Sequence, residues 1–199
     1  MYNISDDPRC QKTCTLIYEA LIELLEENNM VLESITISDI SKQSSVGRAT
    51  FYRHFDTTLD VLRWASNSTM EESADVILLS ANNYQQFCYN FYSYWTKHSQ
   101  LLDALMHIGH PSIFLASLEQ FFMCHQQEIF GSQVDGQATM QDDYLIGAWA
   151  AINWSVLKKW ILRGKKETDR ELADIALRML PIPLGSNFQN SQVAETHRL

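Results

Sequence analysis

Two short apolar patterns lie so close together in residues 35–55 that only a tightly connected pair of helices accommodates both. Ile37 and Ile40 recur at helical spacing, and Thr36-x-x-Asp39 places an acidic side chain at the third position of a capping box. Ser44-Ser45 interrupts the pattern, and Val46, Phe51 and Phe55 resume it. The second helix, expected from Gly47 to His54, keeps only those apolar positions inward. Gly47, Arg48, Ala49, Thr50, Tyr52, Arg53 and His54 are left for the outside. That face is too polar and basic for a purely structural element. Two helices joined by a turn of about four residues, the second with such a face, are the build of a helix-turn-helix.

The overall charge of -9 argues against nucleic acid at first sight, and residues 1–60 carry ten acids against five Lys and Arg. Contact with DNA is local, however, and charges beyond a Debye length are largely screened. Between Ile40 and Phe55 stand Lys42, Arg48, Arg53 and His54, with no acid. A small positive face on an acidic body can dock, while the body disfavours non-specific binding.

The rest reads as all-helical. Gly and Pro are scarce, at seven and four, and no run of alternating β-branched residues occurs. A first helix is expected over 8–27, with Cys14, Ile17, Leu21, Leu24 and Leu25 as its apolar stripe. Thr57-x-x-Asp60 starts a fourth helix reaching about residue 80. Further helices are expected to Lys97, from Ser99 to Ile108, from Pro111 to just before Gly131, and from Gln141 to Leu162. Gly164 caps that last one. Thr168-x-x-Glu171 opens a final helix that Pro181 and Pro183 end. The expected domains are residues 1–56, 57–183, and a tail over 184–199.

Thr-Phe-Tyr-Arg-His-Phe, preceded by Ser-Asp-Ile-Ser and a Ser-Ser-Val turn, resembles the signature of the TetR family of bacterial transcriptional regulators. The likeness covers residues 10–62; beyond it only the helical layout agrees. The resemblance implies an all-α protein with an N-terminal three-helix DNA-binding domain and a C-terminal helical ligand-binding and dimerisation domain. It implies a homodimer, a repressor on a palindromic duplex operator, and release by a small-molecule effector. By the same resemblance, Thr36 and Lys42 lie near the DNA backbone. Arg48, Ala49 and Thr50 face the groove, and Tyr52 and His54 hold phosphates. Ser45 stands where the family usually has Gly in the turn, and Thr58 where it tends to have Lys.

Gly147, Ala151 and Ser155, spaced by four, allow close approach of a second helix. With the stripe of the last helix (Leu172, Ile175, Ala176, Met179) they mark either a two-fold four-helix interface or packing within one subunit. Tyr84 to Trp95 holds seven aromatics in twelve residues. Tyr89, Tyr92 and Trp95, with Phe114, Phe121 and Trp149, either line a cavity for an apolar or aromatic ligand or fill the core. A body that binds a protein partner, as in a co-activator, is the alternative.

No pattern supports catalysis: there is no nucleophile motif, phosphate loop or paired-acid arrangement. His107, His110, Cys124 and His125 come nearest to a metal set, but Gly109 and Pro111 break the helix between the first two, and no carboxylate completes a familiar spacing. No metal or cofactor is expected. The four cysteines, Cys10, Cys14, Cys88 and Cys124, form no Cys-x-x-Cys pair and read as free thiols. Mean hydropathy is -0.20, and no apolar run reaches the ~20 residues of a membrane span. Met1 to Arg9 has no apolar stretch of a signal peptide, so a cytoplasmic location is expected.

Overall fold

Capping chemistry sets the helix boundaries. The computed structural model describes residues 7–29, 31–78, 81, 84–130 and 140–179, and among them all regular structure is helical. Helix α1 spans Pro8–Glu27. Asp7 accepts the Arg9 N–H at 2.8 Å, and Pro8 fills a first-turn position where no amide hydrogen is needed. Asn28 ends the helix, its N–H donating to the Leu24 carbonyl. A short 3-10 turn, Leu32–Ser34, then leads into α2, Ile37–Ser44, and α3, Arg48–His54. It has no counterpart in the sequence expectation.

The remaining helices are α4 (Thr58–Leu78), α5 (Tyr84–Lys97), α6 (Gln100–His107), α7 (Ser112–Cys124), α8 (Gln126–Phe130), α9 (Met140–Leu162) and α10 (Asp169–Met179). One helix was expected across the span that α7 and α8 divide. The chain turns at His125, whose ring lies 4.8 Å from that of Phe121. Gly164, at φ +77°, closes α9 as expected. Residues 184–199 and the 133–138 loop lie outside the described residues.

The fold divides into two compact units, Met1–Thr69 with Ser99–Ser117, and Met70–His98 with Leu118–Leu199. Helices α4 and α7 each run from one unit into the other. In the first unit, Cys14, Ile17, Leu21 and Leu25 of α1 are fully buried, while Leu24 of the same stripe is half-buried. They share the unit's core with Ile40, Phe51, Phe55, Val61 and Leu62. Burial pushes the Cys14 thiol up to about 12, with Cys10 adding to the effect, so it stays protonated.

In the second unit the rings of α5 and α7 form a connected cluster. Phe87 stacks on Phe91 at 5.9 Å and meets Phe122 at 5.8 Å, and Phe91 meets Tyr92 edge-on at 5.2 Å. Tyr92 is fully buried and donates its hydroxyl to Asn153 Oδ1 at 3.0 Å. Asn153 in turn donates to the Trp149 carbonyl at 2.9 Å. Both ends of that buried polar chain are therefore satisfied. Helix α10 packs on α5 and α9, and starts with Glu171 accepting from the Thr168 N–H at 2.8 Å and its hydroxyl at 2.9 Å.

Candidate nucleic-acid interface

Helix α2 is held at both ends. The Thr36 N–H and hydroxyl donate to Asp39 Oδ2 at 2.9 and 2.6 Å, and Asp39 N–H returns to Thr36 Oγ1 at 3.2 Å. The full capping box is present, and those donors hold the Asp39 carboxyl below its ordinary range. At the far end Gln43 donates to Glu23 Oε2 at 2.7 Å, tying α2 to α1. Ser44 donates to the Ile40 carbonyl and accepts from the Val46 N–H, turning the chain out of the helix.

Ser45 makes the turn. Its φ of 57° and ψ of 20° are left-handed, a region that costs a non-glycine residue about 1–2 kcal/mol. Glycine would remove that strain but lose ~0.5–1 kcal/mol through a freer unfolded chain. Ser45→Gly is therefore expected to stabilise by about 0.5–1 kcal/mol and to raise the melting temperature by roughly 1–4 °C. Thermal unfolding of both chains measures this. A lower melting temperature would mean that the serine side chain contributes more than the strain removes.

Gly47 caps α3 in an extended conformation, and an added Cβ there would meet nothing within 4 Å. Phe51 and Phe55 are fully buried, 5.8 Å apart, and Phe55 meets Trp64 edge-on at 6.0 Å. These rings fix the rotation of α3. Rotation in turn leaves Arg48, Ala49, Tyr52 and Arg53 exposed, with Thr50 and His54 half-buried. Arg53 Nη2 donates to Thr50 Oγ1 at 3.3 Å. Lys42 is exposed in the last turn of α2. Of the expected positions, only Thr36 has its hydroxyl engaged in capping.

The sequence marks Cys10 only as a free thiol, with nothing that ties it to His54. Its sulfur lies 3.6 Å from His54 Nδ1, across 44 residues of chain. Partial burial, then the charge of Arg53, lowers the His54 pKa from its ordinary value, which favours the neutral ring. In the tautomer whose Nδ1 accepts from the thiol, the ring hydrogen sits on Nε2, the other nitrogen of the ring.

The aromatic positions went inward. Tyr92, Trp95 and Phe121 are fully buried in the second unit and Trp149 is nearly so. Tyr89 is half-buried there and donates to Asp174 at 2.9 Å. Phe114 is fully buried in the first unit. Leu172 and Ala176 are likewise buried, whereas Ile175 and Met179 are 36 % and 56 % exposed. Gly147 is half-buried, and Ala151 and Ser155 are exposed on α9. His107 Nδ1 lies 2.7 Å from the Asp103 carbonyl of its own helix, and His125 lies 3.9 Å from Glu71. Among the described residues, no three metal-ligating side chains cluster, and no helix is long and apolar enough to cross a membrane.

No protein-family model and no curated protein matches the sequence. Solved structures do match in three dimensions, among them two transcription regulators. A TetR transcriptional regulator from Streptococcus agalactiae superposes with a TM-score of 0.57 at 22% identity, covering 88% of this chain and 97% of its own. The dihydroxyacetone kinase operon activator DhaS superposes at 0.55 with 18% identity, covering 83% and 92%. The chain has the TetR fold. The all-α expectation, with an N-terminal helix-turn-helix and a C-terminal helical region, is borne out at that level. In this TetR-like chain, α2 and α3 are the helix-turn-helix pair, and Arg48 to His54 is its second helix.

Proposed function

We propose that the protein is a transcription regulator that binds duplex DNA as a homodimer and is not an enzyme. The observation that carries this reading is the outer face of α3. Phe51 and Phe55 anchor the helix, and every side chain turned outward is basic, polar or small. Arg48 reaches guanine O6 and N7, and Thr50 meets a thymine methyl or a phosphate. Lys42, Tyr52, Arg53 and the Nε2–H of His54 serve phosphates, with Thr36 beside the backbone. Gly47 and Ala49 keep the approach to the groove open, and the empty space around Gly47 supports that role. Residues 1–56 act as the DNA-binding part and 57–183 as the regulatory part.

The surface of α9 supports the dimer. Tyr144, Leu145 and Leu162 are 75 %, 50 % and 62 % exposed, and Ala148, Ala151 and Ser155 continue the stripe between them. The positions 144, 148, 151 and 155 follow the three-and-four spacing of a helix seam, which the exposed Lys158 continues before Leu162. With Gly147 at its edge, and Ile175 and Met179 of α10 exposed, the stripe fits a two-fold four-helix contact. Two α3 helices would then stand one DNA turn apart, roughly 34–36 Å, on a palindrome.

Regulation follows if an effector binds one of two dimer states better than the other. An apolar effector at Tyr89, Tyr92, Trp95, Phe114, Phe121 and Trp149 would have to displace buried rings. The sign of regulation is open to a second reading, because one structural neighbour is an operon activator by name. Repression of a target operon is the first reading.

Selection of bound sequences from a random duplex pool tests the proposal. On the selected site, Arg48→Ala should lose about 1–3 kcal/mol per half-site while its helical content and oligomeric state are unchanged. Unaltered affinity on a gel shift would remove Arg48 from the interface.

A further inference from the structure

Helix α4 starts on a carboxylate that is almost fully buried. Asp60 is 3 % exposed. Its Oδ2 accepts the Thr57 N–H at 2.8 Å and the Thr57 hydroxyl at 2.7 Å, which completes the cap of α4. Its Oδ1 accepts Arg63 Nη1 at 2.8 Å. A carboxylate this buried depends on its donors and its cation, and removing one partner is strongly destabilising.

Arg63 does more than neutralise Asp60. Its side chain is 55 % exposed and lines a cleft of about 400 Å³ in the first unit, with Asn67, Ser112, Ile113, Ala116 and Ser117. That volume lies within the ~300–1,000 Å³ of small-molecule sites. Buried Ser117 donates its hydroxyl to Asn67 Oδ1 at 2.6 Å. The amide oxygen is thereby occupied, and what Asn67 can offer a ligand is its N–H2 group. Arg63 has five N–H donors, of which Asp60 engages Nη1. None of the six lining residues is acidic, in a chain of net charge -9. The lining thus presents a guanidinium, an amide N–H2 and the Ser112 hydroxyl beside the apolar Ile113 and Ala116.

We propose that this cleft binds a small oxyanion, a carboxylate or phosphate group on a compact organic molecule, and that the anion shares Arg63 with Asp60. Drawing the guanidinium toward the ligand loosens its hold on Asp60 Oδ1. The same carboxylate caps α4 through Thr57, three residues after α3 ends at His54. Anion binding therefore loosens the junction that positions α3 and lowers DNA affinity. This last step rests on the regulator reading above; the binding step does not.

The test uses the full chain, isotope-labelled for NMR. It is titrated separately with inorganic phosphate and with succinate, chloride holding the ionic strength constant. Saturable shifts of the Arg63 Nε–H and the Asn67 N–H2 are expected with one anion or both, and the one that saturates names the chemistry. Arg63→Gln should abolish the Asn67 shift. Ala116→Phe should abolish the shifts at both groups, because it fills the cleft while keeping both members of the Asp60–Arg63 pair. It remains decisive if the glutamine variant folds poorly. Shifts that stay linear in concentration, or that survive Ala116→Phe, would overturn the site. On the selected duplex, the saturating anion should weaken binding at least about fivefold in the parent, the lower end of typical coupling, and leave Ala116→Phe unchanged. Saturable binding with unaltered DNA affinity overturns the coupling alone. A chain that binds no duplex overturns the regulator reading and leaves the cleft to be judged by the titration.

Discussion

Ala151→Arg should yield a folded monomer that has lost more than about a hundredfold in affinity for the proposed palindromic DNA site, within the range by which linked sites exceed single ones. Ala151 is exposed on α9, so the substitution disturbs nothing inside the chain, and Arg is a good helix former. In the proposed dimer the two-fold axis duplicates the new charge. Each copy would be pressed against the same stripe of the other subunit, and a buried charge that finds no partner costs several kcal/mol. A monomer offers one α3 and reads one half-site. Sedimentation equilibrium reports the oligomer and fluorescence anisotropy the affinity. An Ala151→Arg protein that sediments like its parent would take α9 out of the interface. A parent that is itself monomeric would reject the dimer.

Phe51→Ala should cost about 3–5 kcal/mol, the range for truncating a buried aromatic ring. Domains of this kind have only ~5–15 kcal/mol of net stability, so the loss threatens the whole first unit. Phe51 is fully buried, its ring lies 5.8 Å from both Tyr52 and Phe55, and its carbonyl accepts the Phe55 N–H that ends α3. Truncation leaves a cavity under the very helix whose orientation the outer face depends on. Urea unfolding should show the loss, and hydrogen exchange should speed up first in α1, α2 and α3. A cost below ~1 kcal/mol would mean that α3 is held by something other than its aromatic anchors.

Ala151 and Phe51 also illustrate two kinds of legibility. The helix starts at Thr36, Thr57 and Thr168 were readable because a capping box closes over three residues, and all three boxes formed. Phe51 and Phe55 were readable as anchors because four residues bring side chains to one face of a helix. The turn at Ser45 was readable because two helices so close in sequence need a sharp reversal; its left-handed backbone followed. By contrast, the break at His125 carries no Gly or Pro, and nothing local marks it.

The aromatic run of α5 shows where counting fails. Seven rings in twelve residues are equally consistent with a lined cavity and a filled core. Ring-to-ring distances between α5 and α7 put Phe87, Phe91, Tyr92 and Phe122 in one packed cluster. Leu172 and Ile175 sit on one apolar stripe in sequence, yet one is buried and the other is at the surface. A stripe wider than its partner helix leaves an edge outside, and only the partner's position says which edge.

The chain's own pattern thus determined an all-helical protein, its capped helix starts, and the small basic face of α3. These depend on periodicities and caps that act within a turn or two of helix. Tertiary structure alone decided the contact of Cys10 with His54, the bond of Ser117 to Asn67 beside the cleft, and the inward burial of Tyr92 on Asn153. Each joins residues more than forty positions apart, and no local energetic rule links such pairs until packing has brought their helices together.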